Sequence, residues 1–338
     1  MEEVELPPGV EAIRLPEQKA FDGLPFPLVL SPLAGEFQTK DGAYWQEWVV
    51  SNRSLLDALL LRFGAIVFRG FNVDTSTHFD LFCKSFGYSP FRYLGGAAVR
   101  VKVVGNVLTA NESPPDAIIP FHHEMAHVNE YPTILFFYCD VAPEVGGETP
   151  LALAHVVYRK MAEKEPELVR RLAAEGLCYV RVAPDGDDPS SPLGRGWQST
   201  FLTQDRTEAE VNARASGYDF EWMPDGSMKT KTRSVPAIRV DRRTGKAMFF
   251  NSIHACYIGW QDSRNDRTKA VVFPNGDTMS PDVVNTLEDV MSDVSVAVKW
   301  RRGDVILVDN RQVQHARRSF VPPRRILASL YKDDQGQI

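Results

Sequence analysis

Pro120-Phe121-His122-His123-Glu124-Met125-Ala126-His127 is the densest chemistry in the chain, and it reads in two ways. Parsed as His123-Glu124-Met125-Ala126-His127, it matches H-E-x-x-H, in which two histidines one helical turn apart hold zinc and the glutamate acts as general base. Parsed as His122-x-Glu124, it offers two ligands at i and i+2, which share a face only on an extended chain. With a distant second histidine, that pair makes a 2-His-1-carboxylate triad with open coordination positions. The flanks favour the extended reading. Pro114, Pro115 and Pro120 stand before the motif and Pro132 soon after it, and proline disfavours helix at the residue it follows. A polar surface loop without metal also fits these residues, because a lone His-x-Glu is common by chance. The rest of the chain has to decide.

The C-terminal segment supplies a partner. Asp304-Val305-Ile306-Leu307-Val308-Asp309-Asn310 is a buried-strand pattern ending in two polar residues, and His315 follows. Arg317, Arg318, Arg324 and Arg325 come next, then the apolar run Ile326-Leu327-Ala328-Ser329-Leu330. Basic clusters usually form a solvated face. An arginine at the edge of a core strand is costly to bury unless it meets an anion, and its planar fork suits a carboxylate. Arg325 directly precedes the apolar run and is the expected inward residue, with Arg324 pointing the other way by strand alternation.

Between these segments the sequence reads as a β core with helical additions. Apolar residues at helical spacing predict a helix over 45–63, and Gly64 can end it before a short buried strand at 65–68. A second helix is expected to start at Thr75 or Ser76 and stop at Gly87. Residues 133–139 are β-branched and aromatic and read as a central strand. Helices are expected at 155–161, 166–174, 208–215 and 281–290, and a hairpin around Asp241–Lys246. Residues 184–197 form a long loop rich in Asp, Pro, Ser and Gly, a candidate substrate lid. The Pro- and Gly-rich residues 1–44 are expected to be an irregular surface extension, with room for one short strand, of one domain spanning 1–338.

Composition sets the outer bounds. The 338 residues carry a net charge of −6, which argues against a general nucleic-acid binder. Hydrophobic residues make up 43%, enough for a substantial core. No apolar run is long enough for a membrane span, and the acidic start Met1-Glu2-Glu3 resembles neither a secretory signal nor a transit peptide. The four cysteines are widely spaced, which suggests free thiols in a reducing compartment; a cytoplasmic location is expected.

Taken in order, these elements resemble the TauD/TfdA family of Fe(II)/2-oxoglutarate-dependent dioxygenases, and closer still the clavaminate-synthase-like proteins of plants. The resemblance rests on Gly64-Ala65-Ile66-Val67-Phe68-Arg69-Gly70-Phe71, Asn111-Glu112-Ser113-Pro114-Pro115, Phe121-His122-His123-Glu124 and Gly146-Gly147-Glu148-Thr149-Pro150. Asp309-Asn310 before His315, and Pro323-Arg324-Arg325, complete it. It implies a mainly β fold with helical insertions, built on a double-stranded β-helix (jelly-roll) core. It also implies His122, Glu124 and His315 as iron ligands and catalytic residues, with Thr149 and Arg325 on the cosubstrate 2-oxoglutarate. The activity implied is O2-dependent hydroxylation or desaturation of a small molecule, with release of succinate and CO2. Related halogenases lack the ligand carboxylate that Glu124 retains. A second arginine that many members carry four residues beyond Arg325 is Ser329 here, so a sulfonate substrate does not follow from the resemblance.

Two rivals stand beside this reading: a zinc-dependent hydrolase using His123, Glu124 and His127, and a non-catalytic sensor that keeps the fold. Several other residues have double readings. His123 and His127 are packed or solvent-facing, or else neighbour the ligands. Asn111 and Glu112 form a plain turn or a pocket wall. Asn251, Ser252 and His254 reach the cavity or pack away from it. Arg69 is expected to pair a nearby carboxylate.

Overall fold

Strand Ile134–Val141 lies in the middle of the structure, and its alternation organises two cores. In this computed structural model, which describes residues 4–34, 36, 42–91, 100–110, 113–191, 193–336 and 338, Leu135, Phe137 and Cys139 belong to one apolar cluster. Ile134, Phe136 and Tyr138, one step along the strand, belong to another. Successive side chains of a strand face opposite ways, so a strand apolar at every position must be covered on both faces. The first face meets a second sheet. The other is closed by helices Gly42–Phe63 and Ser76–Ser85, whose Leu56, Leu60, Phe79 and Phe82 are fully or nearly fully buried.

The central sheet runs in the spatial order Val10–Ala12, Leu28–Pro32, Ala65–Phe68, Val305–Asp309, Ile134–Val141, Arg325–Lys332, Val107–Thr109 and Lys102–Val104. A ninth strand, Ser89–Pro90, pairs with Arg325–Lys332. The facing sheet orders Val296–Val298, Thr149–Leu153, Val313–Arg317 and Ile119–His122, all antiparallel. A further four-stranded sheet, Tyr218–Trp222, Met228–Thr232, Cys178–Ala183 and Val271–Val272, belongs to the insertion between them. Eight α-helices are present among the described residues. The architecture is mainly β, of the jelly-roll type with helical insertions, and the sheets do not close into a barrel.

Most expected elements are present with shifted ends. The helix expected at 281–290 runs Pro281–Val294, capped by the Ser280 side chain with proline in its first turn. The hairpin is Ile238–Asp241 against Lys246–Phe249. The N-terminal segment differs from expectation. Beyond the one short strand allowed for, it carries Val10–Ala12, Lys19–Phe21, Leu24–Phe26 and Leu28–Pro32, the last parallel to Ala65–Phe68 with Leu28, Val29 and Leu30 buried. Pro27 and Pro32 flank the apolar triplet at the strand's two ends, and that composition masked it. Asn111 and Glu112 lie outside the described residues.

Arg69 pairs with Asp304 in a two-bond ion pair at 3.0 and 2.7 Å, and a third bond goes to the carbonyl of Lys299. The pair fixes the approach to strand Val305–Asp309. Arg311 does the same at the other end, bonding Asp309, Asp333 and the carbonyl of Gly336. That strand is therefore anchored at both ends, and the loop after it carries the residues that frame the site.

Candidate active site

His122 ends strand Ile119–His122, and His315 lies opposite it on strand Val313–Arg317. Cross-strand partners on one face bring side chains close, and here the two imidazole centroids are 4.3 Å apart. Glu124 leaves the strand two residues on. A ligand nitrogen from each histidine and an oxygen of Glu124 lie within 4.8 Å of one another. Sequence spacing alone could not have shown this convergence, since it depends on the register of two strands nearly two hundred residues apart.

The surroundings set the protonation and aim of each group. The Nδ1 of His122 lies 2.8 Å from the carbonyl of Pro120, which places the proton on that nitrogen and leaves Nε2 as the electron-pair donor. Burial lowers the His122 pKa, against the opposing pull of Glu124. Burial also lowers that of His315, well below the ordinary value, with the charges of His122 and Arg100 adding to it. Burial thus favours the neutral, ligating form of both rings. Glu124 is held by its backbone: its N–H donates to Asn310 Oδ1 at 2.8 Å, and its carbonyl accepts from Asn310 Nδ2 at 3.0 Å. The His315 ring packs on Phe137, and its buried Nδ1 has no protein partner among the described residues.

His123 points elsewhere. It is fully buried, with Nδ1 2.5 Å from the carbonyl of Asn310 and Nε2 3.3 Å from that of Phe249. Burial drives its pKa down to about 3, so it is a neutral packed histidine. Residues 124–127 form turns rather than a helix, and Met125 has φ +59°. The H-E-x-x-H parse needs His123 and His127 on one helical face, and the left-handed residue between them removes it. His127 instead rests edge-on against Trp260 and Tyr179.

A cavity of about 590 Å³ opens over the triad. Thr149 lines it from strand Thr149–Leu153, its Oγ1 accepting from Trp300 Nε1 at 3.0 Å. The arginine expected there is a different one. Arg325 is exposed and pairs with Asp140 at 2.7 Å, while Arg324 lines the cavity with Nε donating to the carbonyl of Gly147. Alternation explains the exchange. Ile326 faces the cavity, so Arg324, two residues before it, shares its face and Arg325 does not. Burial lowers the Arg324 pKa to about 10, with the charge of Arg317 adding to the effect. The Gly146-Gly147 turn makes room for this arginine. Both glycines have positive φ, and a Cβ on Gly147 would lie 2.8 Å from Arg324 Cδ.

Other candidates divide. Ser252 lines the cavity, and so does Leu193 of the 184–197 loop. Asn251 is spent on the carbonyl of Ala237 and the N–H of Ile253. His254 Nδ1 accepts from the Phe121 N–H, steadying the strand that carries His122. Two residues that sequence reasoning missed are Arg100, which bonds Glu124, and the side chain of Asn310. Asn310 stood inside a quoted motif without a role. Arg100 lies in no recognisable pattern.

The donor set suits a divalent metal. Two imidazoles and one carboxylate beside an open cavity fit a facial non-haem Fe(II) site, and Nε2 of His315, 3.9 Å from Glu124 Oε2, is the nitrogen turned toward the other ligands.

The comparisons agree with this geometry. The family model described as taurine catabolism dioxygenase TauD, TfdA family, matches residues 30–331, so the chain belongs to that family. It is an oxidoreductase of the dioxygenase class, whose cofactors are Fe(II), 2-oxoglutarate and O2. A clavaminate synthase-like protein of Arabidopsis thaliana is 48% identical over 320 residues, covering 94% of this chain and 97% of its relative. Among solved structures, a taurine dioxygenase from Burkholderia xenovorans superposes with a TM-score of 0.52 at 17% identity, covering 96% of this chain and 90% of the other. PvcB from Pseudomonas aeruginosa gives 0.52 at 16% identity, covering 92% and 87%. These likenesses establish the fold. No helix among the described residues is long and apolar enough to cross a membrane.

Proposed function

We propose that the protein hydroxylates or desaturates a small organic molecule, with Fe(II) held by His122, Glu124 and His315 and 2-oxoglutarate held by Arg324 and Thr149. Succinate and CO2 are the co-products. The observation that carries this reading is the convergence of the three ligands at the floor of one cavity that Arg324 and Thr149 also line. PvcB, of the same fold, is described as an Fe, alpha-ketoglutarate dependent oxygenase from an isonitrile synthetic pathway.

When bound, Fe(II) with 2-oxoglutarate and O2 supplies the oxidant. This chain's residues position and protect the reaction. His122 and His315 donate neutral nitrogens, Glu124 donates charge, and Asn310 fixes where that carboxylate starts. Arg324 would offer its part-buried guanidinium to a carboxylate of the cosubstrate, and Thr149 lines the same cavity. Arg317 donates to the carbonyls of Ser113, Pro114 and Ala117 at 2.6 to 2.8 Å, which holds one wall of the cavity in place. Glu124 occupies the position that must be vacant for halide, so oxygen insertion or desaturation is favoured. Succinate formation from 2-oxoglutarate under Fe(II) and O2, accelerated by compounds in a metabolite screen, tests the reading. Failure of any condition to yield succinate from metal-loaded protein would count against it.

A further inference from the structure

Arg317 lies two residues beyond His315 on strand Val313–Arg317, so the two side chains share a face, and both line the cavity. Strand Thr149–Leu153 runs beside it with Leu151 opposite His315. That register continues past the strand end, where the Arg318 N–H donates to the Glu148 carbonyl at 3.1 Å and Gly146 bridges to Phe320. Thr149 therefore stands opposite Arg317, and directly opposed residues of an antiparallel pair are side-chain neighbours. Arg324 completes the group. The Cζ atoms of Arg317 and Arg324 lie 5.2 and 5.4 Å from the centre of one ring, that of Phe320. The charge of Arg317 acts on Arg324.

This end of the cavity thus holds two like charges side by side. Arg317 is only 6% exposed. Its Nη1 donates to the Ser113 carbonyl and its Nη2 to those of Pro114 and Ala117, while its buried Nε has no protein partner. Arg324 gives its Nε hydrogen to the Gly147 carbonyl. All of these acceptors are neutral. Among the described residues no carboxylate bonds either guanidinium. Glu148, whose charge reaches Arg324, has its carboxylate 4.0 Å from Arg318 instead. Holding a wall by its carbonyls needs only a neutral donor such as an amide. A second cation beside Arg324 adds repulsion in a low-dielectric space, which an anion between the two reverses. The three carbonyl bonds do not exhaust the N–H donors of Arg317.

We propose that Arg317 is a specificity-determining residue for the cosubstrate. With Arg324 and Thr149 it forms a cradle for the remote carboxylate of 2-oxoglutarate, and it makes the site select a 2-oxo dicarboxylate over a 2-oxo monocarboxylate. The proposal rests on the dioxygenase reading above and deepens it, adding a second guanidinium from the strand that carries His315.

The test uses the full chain under anaerobic conditions, with visible absorption of the Fe(II) chelate as the readout. Fe(II) and 2-oxoglutarate are titrated first into wild type. A wild type that binds neither sinks the dioxygenase reading, and the proposal with it. The second ligand is 2-oxopentanoate, the same chain with a methyl group in place of the remote carboxylate. Wild type is expected to bind 2-oxoglutarate at least about 30-fold more tightly than 2-oxopentanoate. R317Q is expected to weaken 2-oxoglutarate about 10-fold or more and to change 2-oxopentanoate by no more than about threefold. R317K, which keeps the charge, is expected to recover part of the loss. Retained binding of 2-oxopentanoate shows that the variants fold and that the metal end is intact. Equal weakening of both keto acids in R317Q and in R317K makes Arg317 a clamp of the wall alone and overturns the proposal. So does an R317Q variant that binds 2-oxoglutarate as wild type does.

Discussion

Asn310 and Glu124 exchange two hydrogen bonds, from the Glu124 N–H to Asn310 Oδ1 at 2.8 Å and from Asn310 Nδ2 to the Glu124 carbonyl at 3.0 Å. Nδ2 also reaches the carbonyl of Pro132 at 2.7 Å, and the backbone carbonyl of Asn310 meets His123. One buried amide thus ties the loop after the central sheet to the backbone of the candidate metal ligand. Asn310→Ala removes three bonds and leaves the Glu124 N–H unsatisfied. Groups that orient ligands typically contribute about 10- to 100-fold in metal affinity. Chelator competition on N310A is expected to show a loss in that range, with His315 still in place.

The two adjacent arginines give opposite expectations. Arg324 is part-buried and lines the cavity; on the proposed reading, losing it strands a cosubstrate carboxylate, which costs about 2 kcal/mol or more, or at least about 30-fold in affinity. Arg325 is half exposed and paired with Asp140, an interaction worth about 0–1 kcal/mol. The KM for 2-oxoglutarate should therefore rise at least about 30-fold in R324Q and stay within about threefold of wild type in R325Q. The reverse order would restore the arginine that the sequence favoured.

That exchange shows where the sequence was legible. The apolar run 326–330 located the strand, but its phase depended on which residue first faces the interior. A β-irregularity opposite the start of the strand, between Cys139 and Val141, is invisible in sequence. The candidate triad could be named because His122-x-Glu124 and His315 sit in ordered motifs, and proline flanks favoured an extended chain over a helix. The overlap with H-E-x-x-H was settled only by the backbone of Met125. Arg100 escaped notice because its role comes from tertiary approach to Glu124, with no local pattern to mark it. Strand Leu28–Pro32 escaped for a different reason: three buried residues among prolines carry too short an alternation to read.

His254 links stability of the metal-free protein to pH. Burial lowers its pKa to about 4, with the His122 charge adding to it. Between that value and the ordinary value near 6.5, the unfolded chain binds the proton and the folded chain does not. Stability is therefore full above about pH 6.5 and falls as pH drops toward 4. The contribution is at most about 3 kcal/mol. Denaturant unfolding across this range should show a steeper loss in wild type than in H254Q, where the amide can still accept from Phe121. Equal slopes would show that His254 is not the titrating group.

The central claim is that His122, Glu124 and His315 form one Fe(II) site. Its most direct test is anaerobic Fe(II) binding, counted per chain, in wild type and in the H122A, H315A and H127A variants. One Fe(II) per chain is expected in wild type and H127A, with binding lost in H122A and H315A. Retention of iron by H315A together with its loss in H127A would contradict the account.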